Sequence, residues 1–297
     1  MSADSRSSNR NASTELSAEA LRSRLVISRR CHTRRAFRAP EQQGTAQRAP
    51  SEERTQWSVH RVRGSLNTAE GTTLATLNEV LIRCAIKYAH SIHRPLGPFH
   101  RALAEHLADV EIAQHGYRTS RLVRSMLRLM LRTPDSYSVT MVQARSMVAG
   151  ARHHDIGKIG VSPEILHKPG RLDAAEYEAM KTHTAIGSRI ADAALGDGGS
   201  LSEELRAVKE IALCHHERWD GSGYPFGLRG ADIPLSARVV ALADSYDALV
   251  SDRPYKKGVT HETAVRVIAA GADSLYDPIL MPIFVEAVER FSTSRTV

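Results

Sequence analysis

The chain has 297 residues, enough for one or two domains with hydrophobic cores of their own. Hydrophobic residues make up 42% and charged residues 25%, ordinary for a globular protein, and no run of about 18 apolar residues occurs that would mark a membrane-spanning helix. The net charge of +7 belongs to one end: residues 1–63 hold 13 Arg and no Lys against six acids, whereas the other residues hold 27 basic and 27 acidic side chains.

Taken in chain order, residues 1–63 are rich in Arg, Ser, Ala and Gln and show little periodicity. Such a composition cannot bury enough apolar surface to offset the entropy of ordering, so the segment is expected to be a mostly disordered basic arm, with Leu16 to Ile27 as its one short helical stretch. A basic arm can contact nucleic acid or anionic lipid, but a solvated tail is the simpler reading, and nucleic-acid binding ranks last among the functions considered. The arm lacks the apolar core of a secretory signal, and its Arg-rich, acid-poor start resembles a transit peptide only weakly.

Residues 64–97 read as a helical lead-in. Leu77, Val80, Leu81, Cys84, Ala85, Tyr88 and Ile92 recur at three and four residues, one apolar stripe of a helix, and Pro95 follows its end. From residue 98 to 297 the pattern predicts one all-α catalytic domain. Its helices are expected over Leu103–Leu131, with Gly116 as a soft point, then Val139–His154, Ala174–Ala194, Glu203–His216, Ala237–Val250, His261–Ala270 and Pro278–Phe291. Gly and Pro gather between them, at Lys168-Pro169-Gly170, Gly196 to Gly199, and Asp220 to Gly230. Aromatics are only 5% of the chain, so the core must rest on aliphatic side chains. Cys31, Cys84 and Cys214 are scattered, which fits buried thiols in a reducing compartment, and so a cytoplasmic location, rather than a disulfide scaffold.

The chemistry lies in the histidines and their acidic neighbours. His154-Asp155 combines an imidazole and a carboxylate, a mixed donor pair suited to Fe, Mn or Zn, although the dipeptide alone is common. Gly157 allows a tight turn after it, and Lys158 brings a cation that makes sense beside a metal only if the substrate is an anion. His183 follows 29 residues after His154, and by itself reads as a partly buried polar residue. In His215-His216-Glu217 the adjacent imidazoles point about 100° apart on a helix, so both can serve one centre only near a helix end or where more than one ion binds. Asp244 interrupts an apolar helical run, where a carboxylate is costly unless paired or ligating. Glu111, His115 and Arg118 share one helix face. Five His and three carboxylates together fit a cluster of two or three metal ions. The three carboxylate charges would leave such a cluster positive, able to attract a phosphodiester and to lower the pKa of a bound water.

These residues resemble the HD-GYP family, a branch of the HD-domain phosphohydrolases. The resemblance runs through Glu111-x-x-x-His115-x-x-Arg118, His154-Asp155-Ile156-Gly157-Lys158, Ile165 to Gly170, His183-x-x-x-Gly187, His215 to Pro225, Ala243 to Leu249, Ser251 to Lys256 and Tyr276-Asp277-Pro278, in order over roughly residues 108–290. It implies an all-helical HD-domain bundle and hydrolysis of cyclic di-GMP to pGpG or GMP in bacterial signalling. It further implies metal ligation by Glu111, His115, His154, Asp155, His183, His215, His216 and Asp244, with Asp155 as the bridge and two or three divalent ions, Fe or Mn, as cofactors. Lys158 would stand near the phosphate being cleaved. Asp247, Arg253, Lys256 and Tyr224 would contact substrate, with Asp247 either bonding a guanine or orienting a neighbour. The Gly223-Tyr224-Pro225 loop would form a lip over the site and an element for a diguanylate cyclase or adaptor partner. His153 is expected to be structural. Thr184 in place of a usual Pro, and Ile112-Ala113 in place of a usual Thr-Gly, depart from the pattern without removing a ligand, the interval from His115 to His154 is somewhat long, and no receiver domain is recognisable upstream. The alternatives are action on another cyclic dinucleotide and a catalytically silent signalling module.

Overall fold

The computed structural model describes residues 76–85, 110–133, 137–196, 201–252 and 257–293, with the side chains of 110–113, 292 and 293 excepted. The basic arm, residues 86–97 of the lead-in and the tetrapeptide Arg253 to Lys256 lie outside the described residues.

Every regular element described is helical: α1 (residues 76–85), α2 (Val110–Met130), α3 (Met141–Arg152), a 3-10 turn (Ile156–Gly160), α4 (Pro163–Leu166), α5 (Ala174–Gly196), α6 (Ser202–Cys214), a second 3-10 turn (Gly230–Asp232), α7 (Leu235–Val250), α8 (His261–Ala269) and α9 (Met281–Thr293). One isolated bridge, Ala272 with Tyr276, is the nearest approach to a strand among the described residues. No helix among them is long and apolar enough to cross a membrane.

Local chemistry explains where several helices start. Thr140 caps α3 by accepting the N–H of Gln143, and the Gln143 side chain returns a bond to the Thr140 N–H, a reciprocal box worth about 1 kcal/mol. Asp173 and Glu176 make the same exchange at the start of α5, where Lys168 also grips the Glu176 carboxylate. Thr260 caps α8 by accepting from the Thr263 N–H.

The expected helices match these elements closely, and the differences fall where the site begins. The segment expected to run Val139–His154 stops at Arg152, because His153, His154 and Asp155 turn out of the helix into the 3-10 turn. The segment expected to run Glu203–His216 stops at Cys214, leaving both histidines past its end. The last helix starts at Met281 instead of Pro278, since the Asp277 carboxylate accepts the Ile279 N–H and holds a turn there. Gly116 does not soften α2: a Cβ there would lie 2.5 Å from the Arg152 carbonyl oxygen, so the glycine lets α2 pass the end of α3 at backbone distance.

Helices α2, α3, α6, α7, α8 and α9 enclose the larger apolar core, built on Leu122, Met126, Met147, Ile211, Leu242 and Phe284. A second cluster joins Leu77, Leu81, Cys84 and Ala85 of α1 to Ile156 and Ile159 of the 3-10 turn and to Ile190, Leu205 and Val208 of α5 and α6. Full burial of each such Leu or Ile contributes about 1.5–3 kcal/mol. The described part of the lead-in's apolar stripe thus packs on the elements that carry the histidines.

One buried polar network ties the end of the chain to this frame. Arg238 on α7 donates to Asp277 at 2.5 Å and to the Tyr137 hydroxyl at 2.7 Å, and Tyr137 donates to the same carboxylate at 2.6 Å. The guanidinium also lies over the rings of Tyr137 and Trp219, so the pair anchors the loop that follows α6.

Candidate metal centre

Five helices and one turn bring seven of the eight expected ligands together. Asp155, His183, His215 and His216 form one group of closely spaced donor atoms, and His115, His154 and Asp244 form a second. The side chain of Glu111, which starts α2, lies outside the described residues.

Asp155 stands between the groups. Its Oδ1 faces His183 Nε2 at 3.5 Å and His215 Nε2 at 3.8 Å, while its Oδ2 faces His154 Nε2 at 3.3 Å and His115 Nε2 at 3.9 Å. Asp244 faces the second group alone, 3.0 Å from His115 and 3.7 Å from His154. The carboxylate of Asp155 thus lies between two sets of imidazoles.

The backbone decides which ring atom each histidine offers. His154 Nδ1 lies 2.8 Å from the Ala151 carbonyl, His183 Nδ1 2.7 Å from Met180, and His215 Nδ1 2.9 Å from Ile211. A carbonyl only accepts, so each Nδ1 carries the hydrogen and each Nε2 presents its lone pair to the centre. The Nε2 atoms of His183 and His215 are buried and make no hydrogen bond with the protein. Buried acceptors without partners are costly in an interior, and a divalent ion would satisfy them. The donor set, imidazole nitrogen with carboxylate oxygen, fits such ions.

Charge follows the same division. Burial pushes His183 and His215 below their ordinary range and His216 down to about 4, so these rings are neutral and able to ligate. Burial opposes ionisation of Asp155, but Lys158 and the surrounding imidazoles hold its carboxyl well below the usual carboxylate range. Asp244 is likewise held far down by its hydrogen bond to His115 and by His154, against its own burial. His115 is buried too, yet the carboxylates of Asp244 and Asp247 raise it to about 9.

His215 is the cap residue of α6, so the adjacent pair sits at a helix end, where the chain can turn both rings inward. Their centroids are 4.0 Å apart at an interplanar angle of 42°. His153 instead folds back on α3, its Nδ1 3.0 Å from the Ala149 carbonyl, and belongs to neither donor group. Lys158 donates to Asp155 Oδ2 at 2.5 Å with its side chain still a quarter exposed, which leaves the ammonium at the mouth of the site.

Three features were not legible from motif spacing. Gly157 is needed for packing as much as for a turn: a Cβ there would fall 1.9 Å from the His183 carbonyl oxygen, so the 3-10 turn and α5 meet backbone to backbone, bringing Asp155 to His183. The buried Glu217 accepts the N–H groups of Phe226 and Leu228 at 2.8 and 2.9 Å and pins the loop that carries Tyr224. Tyr224 itself stacks on His216, with centroids 4.8 Å apart and planes 26° off parallel, and Lys181 and Tyr177 of α5 lie against its ring. The Glu217 signal, an acid next to the histidine pair, was visible but had no partner in the sequence.

Asp247 is buried, with both carboxylate oxygens engaged: Oδ1 accepts from Arg118 Nε at 2.6 Å, and Oδ2 accepts from Arg118 Nη2 at 2.9 Å and faces His115 Nδ1 at 2.7 Å. Arg253 and Lys256 lie outside the described residues.

An HD-domain family model matches residues 104–280, more than half of the chain. The chain is 41% identical over 187 residues, covering 62% of this chain and 42% of the relative, to a probable cyclic di-GMP phosphodiesterase of Vibrio cholerae. It is 50% identical over 133 residues to a cyclic di-GMP phosphodiesterase of Thermotoga maritima, covering 45% and 34% of the two chains. It is also 40% identical over 142 residues to a 3′3′-cGAMP-specific phosphodiesterase of Vibrio cholerae, covering 48% and 26%. The chain therefore spans less than half the length of each of these relatives. With the His-Asp pair at the junction of two imidazole groups and the Gly-Tyr-Pro loop stacked against one of them, the chain belongs to the HD-domain family, in its HD-GYP branch.

Proposed function

We propose that this chain hydrolyses cyclic di-GMP to pGpG or GMP, using two or three divalent ions, Fe or Mn, held by His115, His154, Asp155, His183, His215, His216 and Asp244, with Glu111 as a further ligand. The observation that carries this reading is Asp155, whose two oxygens face separate groups of imidazole Nε2 atoms while Lys158 reaches it from the mouth. The similarity to cyclic di-GMP phosphodiesterases supports the choice of substrate.

Ions bound there would supply Lewis acidity towards both the phosphate and the attacking water. The protein's own groups do the rest. The backbone carbonyls behind His154, His183 and His215 fix each ring so that Nε2 faces inward. Lys158 lies where it can offset charge growing on the phosphate oxygens as water adds to phosphorus and the ribose oxygen leaves. Arg253 and Lys256 would hold the other phosphate, and Tyr224 closes the site on the His216 side. The exposed positions of the Gly-Tyr-Pro loop, among them Arg218, Ser222 and Pro225, support a further role as the docking element for a diguanylate cyclase or adaptor. The buried thiols of Cys84 and Cys214, which share no disulfide, support a reducing, cytoplasmic setting.

The test is to purify the full chain without oxygen, measure its bound metals, and incubate it with cyclic di-GMP. Turnover that disappears together with bound metal in Asp155→Ala is the expected result. A fully metallated protein without turnover would exclude the assignment and leave the silent signalling module. A second reading, action on another cyclic dinucleotide, draws on the 3′3′-cGAMP-specific relative, and kcat/KM across a panel of cyclic dinucleotides separates the two.

A further inference from the structure

His115 differs from the other inward-facing histidines in what stands behind its ring. His154, His183 and His215 each lean on a backbone carbonyl three or four residues back in the chain. His115 leans on a carboxylate 132 residues away. Helix α7 presents Asp244 and Asp247 one turn apart, and they take opposite ends of the same imidazole: Asp244 Oδ1 lies 3.0 Å from Nε2, and Asp247 Oδ2 lies 2.7 Å from Nδ1. Helix α2 answers with the same spacing. Arg118, one turn after His115, clasps Asp247 through two parallel bonds at 2.6 and 2.9 Å.

We propose that Arg118 and Asp247 are positioning residues that hold His115 as a ligand of the group it forms with His154 and Asp244, and that Asp247 does not contact the substrate. The fork-on-carboxylate geometry fixes the Asp247 side chain in rotation as well as distance. The fixed carboxylate then accepts the Nδ1 hydrogen, which leaves Nε2 as the only ring atom for a metal and makes the imidazole a stronger donor than a carbonyl partner would. Both oxygens of Asp247 are already engaged and the residue is buried, which leaves little of the carboxylate open to a substrate. Because the partner of His115 Nδ1 lies on another helix, the orientation of this ligand depends on the packing of α2 on α7. The proposal rests on the metal-centre reading above and deepens it.

The experiment is a Mn²⁺ binding isotherm on the full chain, with metal content per chain, for wild type, Asp247→Ala, Asp247→Asn and Arg118→Lys, followed by KM and kcat for cyclic di-GMP at saturating Mn²⁺. Asp247→Ala should weaken the binding of one ion by roughly 10–100-fold while the group on Asp155, His183, His215 and His216 keeps its ion. Asp247→Asn, which keeps the shape and an oxygen that can accept from Nδ1, should recover most of that affinity and guards against a variant that fails only by unfolding. Arg118→Lys, a single-point donor, should fall between them. At saturating Mn²⁺ the KM of the Asn variant should equal that of wild type. A wild-type isotherm in Asp247→Asn and Asp247→Ala together with a raised KM would overturn the proposal and make Asp247 a substrate contact. If the wild type binds Mn²⁺ but does not turn over cyclic di-GMP, the assigned activity falls, and the isotherms still decide the role of the pair.

Discussion

At the residue scale, the centre depends on small groups that clear the way as much as on the ligands themselves. Gly157 carries no function of its own, yet a methyl group there would meet the His183 carbonyl at 1.9 Å. Neither side can yield cheaply, since the obstacle is the backbone of α5 and the 3-10 turn is packed through Ile156 and Ile159. Gly157→Ala should therefore cost about 3 kcal/mol or more, measured as a lowered urea midpoint, and should also weaken metal retention because the turn places Asp155. Wild-type stability in that variant would show that the turn and α5 can separate without loss. The same scale holds the orphaned Nε2 atoms of His183 and His215, whose lack of partners defines the site more sharply than the presence of histidine does.

At the element scale, the loop between α6 and α7 is held from inside. Glu217 takes two of its backbone N–H groups, the Tyr224 N–H donates to the His216 carbonyl at 3.2 Å, and the N–H groups of Trp219 and Asp220 reach the carbonyls of Leu275 and Ser274. The loop is thus held at several points along its length, and its Tyr224 ring stacks on His216. Glu217→Ala removes the acceptor of the Phe226 and Leu228 N–H groups, at a cost of about 1–3 kcal/mol for the buried Phe226 bond. Limited proteolysis should then cut within residues 218–230 faster than in wild type, and the metal group containing His216 should lose affinity. Unchanged cleavage would mean that the bonds to Leu275 and Ser274 suffice. Much of this element was readable beforehand. The Gly and Pro content from Asp220 to Gly230 marked a loop, and the acid beside the paired histidines was plain. What it bonded to was not, because its partners are backbone N–H groups, which every residue but proline carries.

At the scale of the whole molecule, the buried imidazoles and carboxylates give stability a defined pH dependence in the metal-stripped protein. An unfolded histidine takes up its proton near 6.5, whereas folded His216 does so only at about 4. The unfolded state therefore binds more protons in that window, and stability is lost as the pH falls from 6.5 towards 4. His183 and His215, pushed down by burial, act in the same direction. His115 acts in the opposite one. Raised to about 9, it contributes fully below 6.5, and that contribution is lost as the pH climbs through 9. The carboxyls of Asp155 and Asp244, both depressed, add a further loss at more acid pH. Urea midpoints of EDTA-treated protein should accordingly peak near pH 6.5 and fall on both sides. A flat profile from pH 5 to 9 would show that these groups titrate alike in the folded and unfolded states. Added metal should raise the midpoint most at neutral to alkaline pH, because protons compete for the same Nε2 atoms.

The sequence by itself determined the all-helical class, most helix positions and the short list of residues from which the centre is built. Apolar periodicity and the chemistry of imidazole and carboxylate are local properties, so one chain read in order is enough to find them. It also fixed that the histidine pair had to lie at a helix end or serve more than one ion. Only the tertiary structure decided how the list divides, because the division turns on distances between elements remote in sequence. Asp155 became the link between two groups because the end of α3, α5, the end of α6 and α2 converge on its two oxygens. Asp247, a candidate substrate contact in the sequence, meets Arg118 and His115 because α2 packs on α7. A motif gives the spacing of groups along one helix, and only packing sets which groups on two helices share a hydrogen bond.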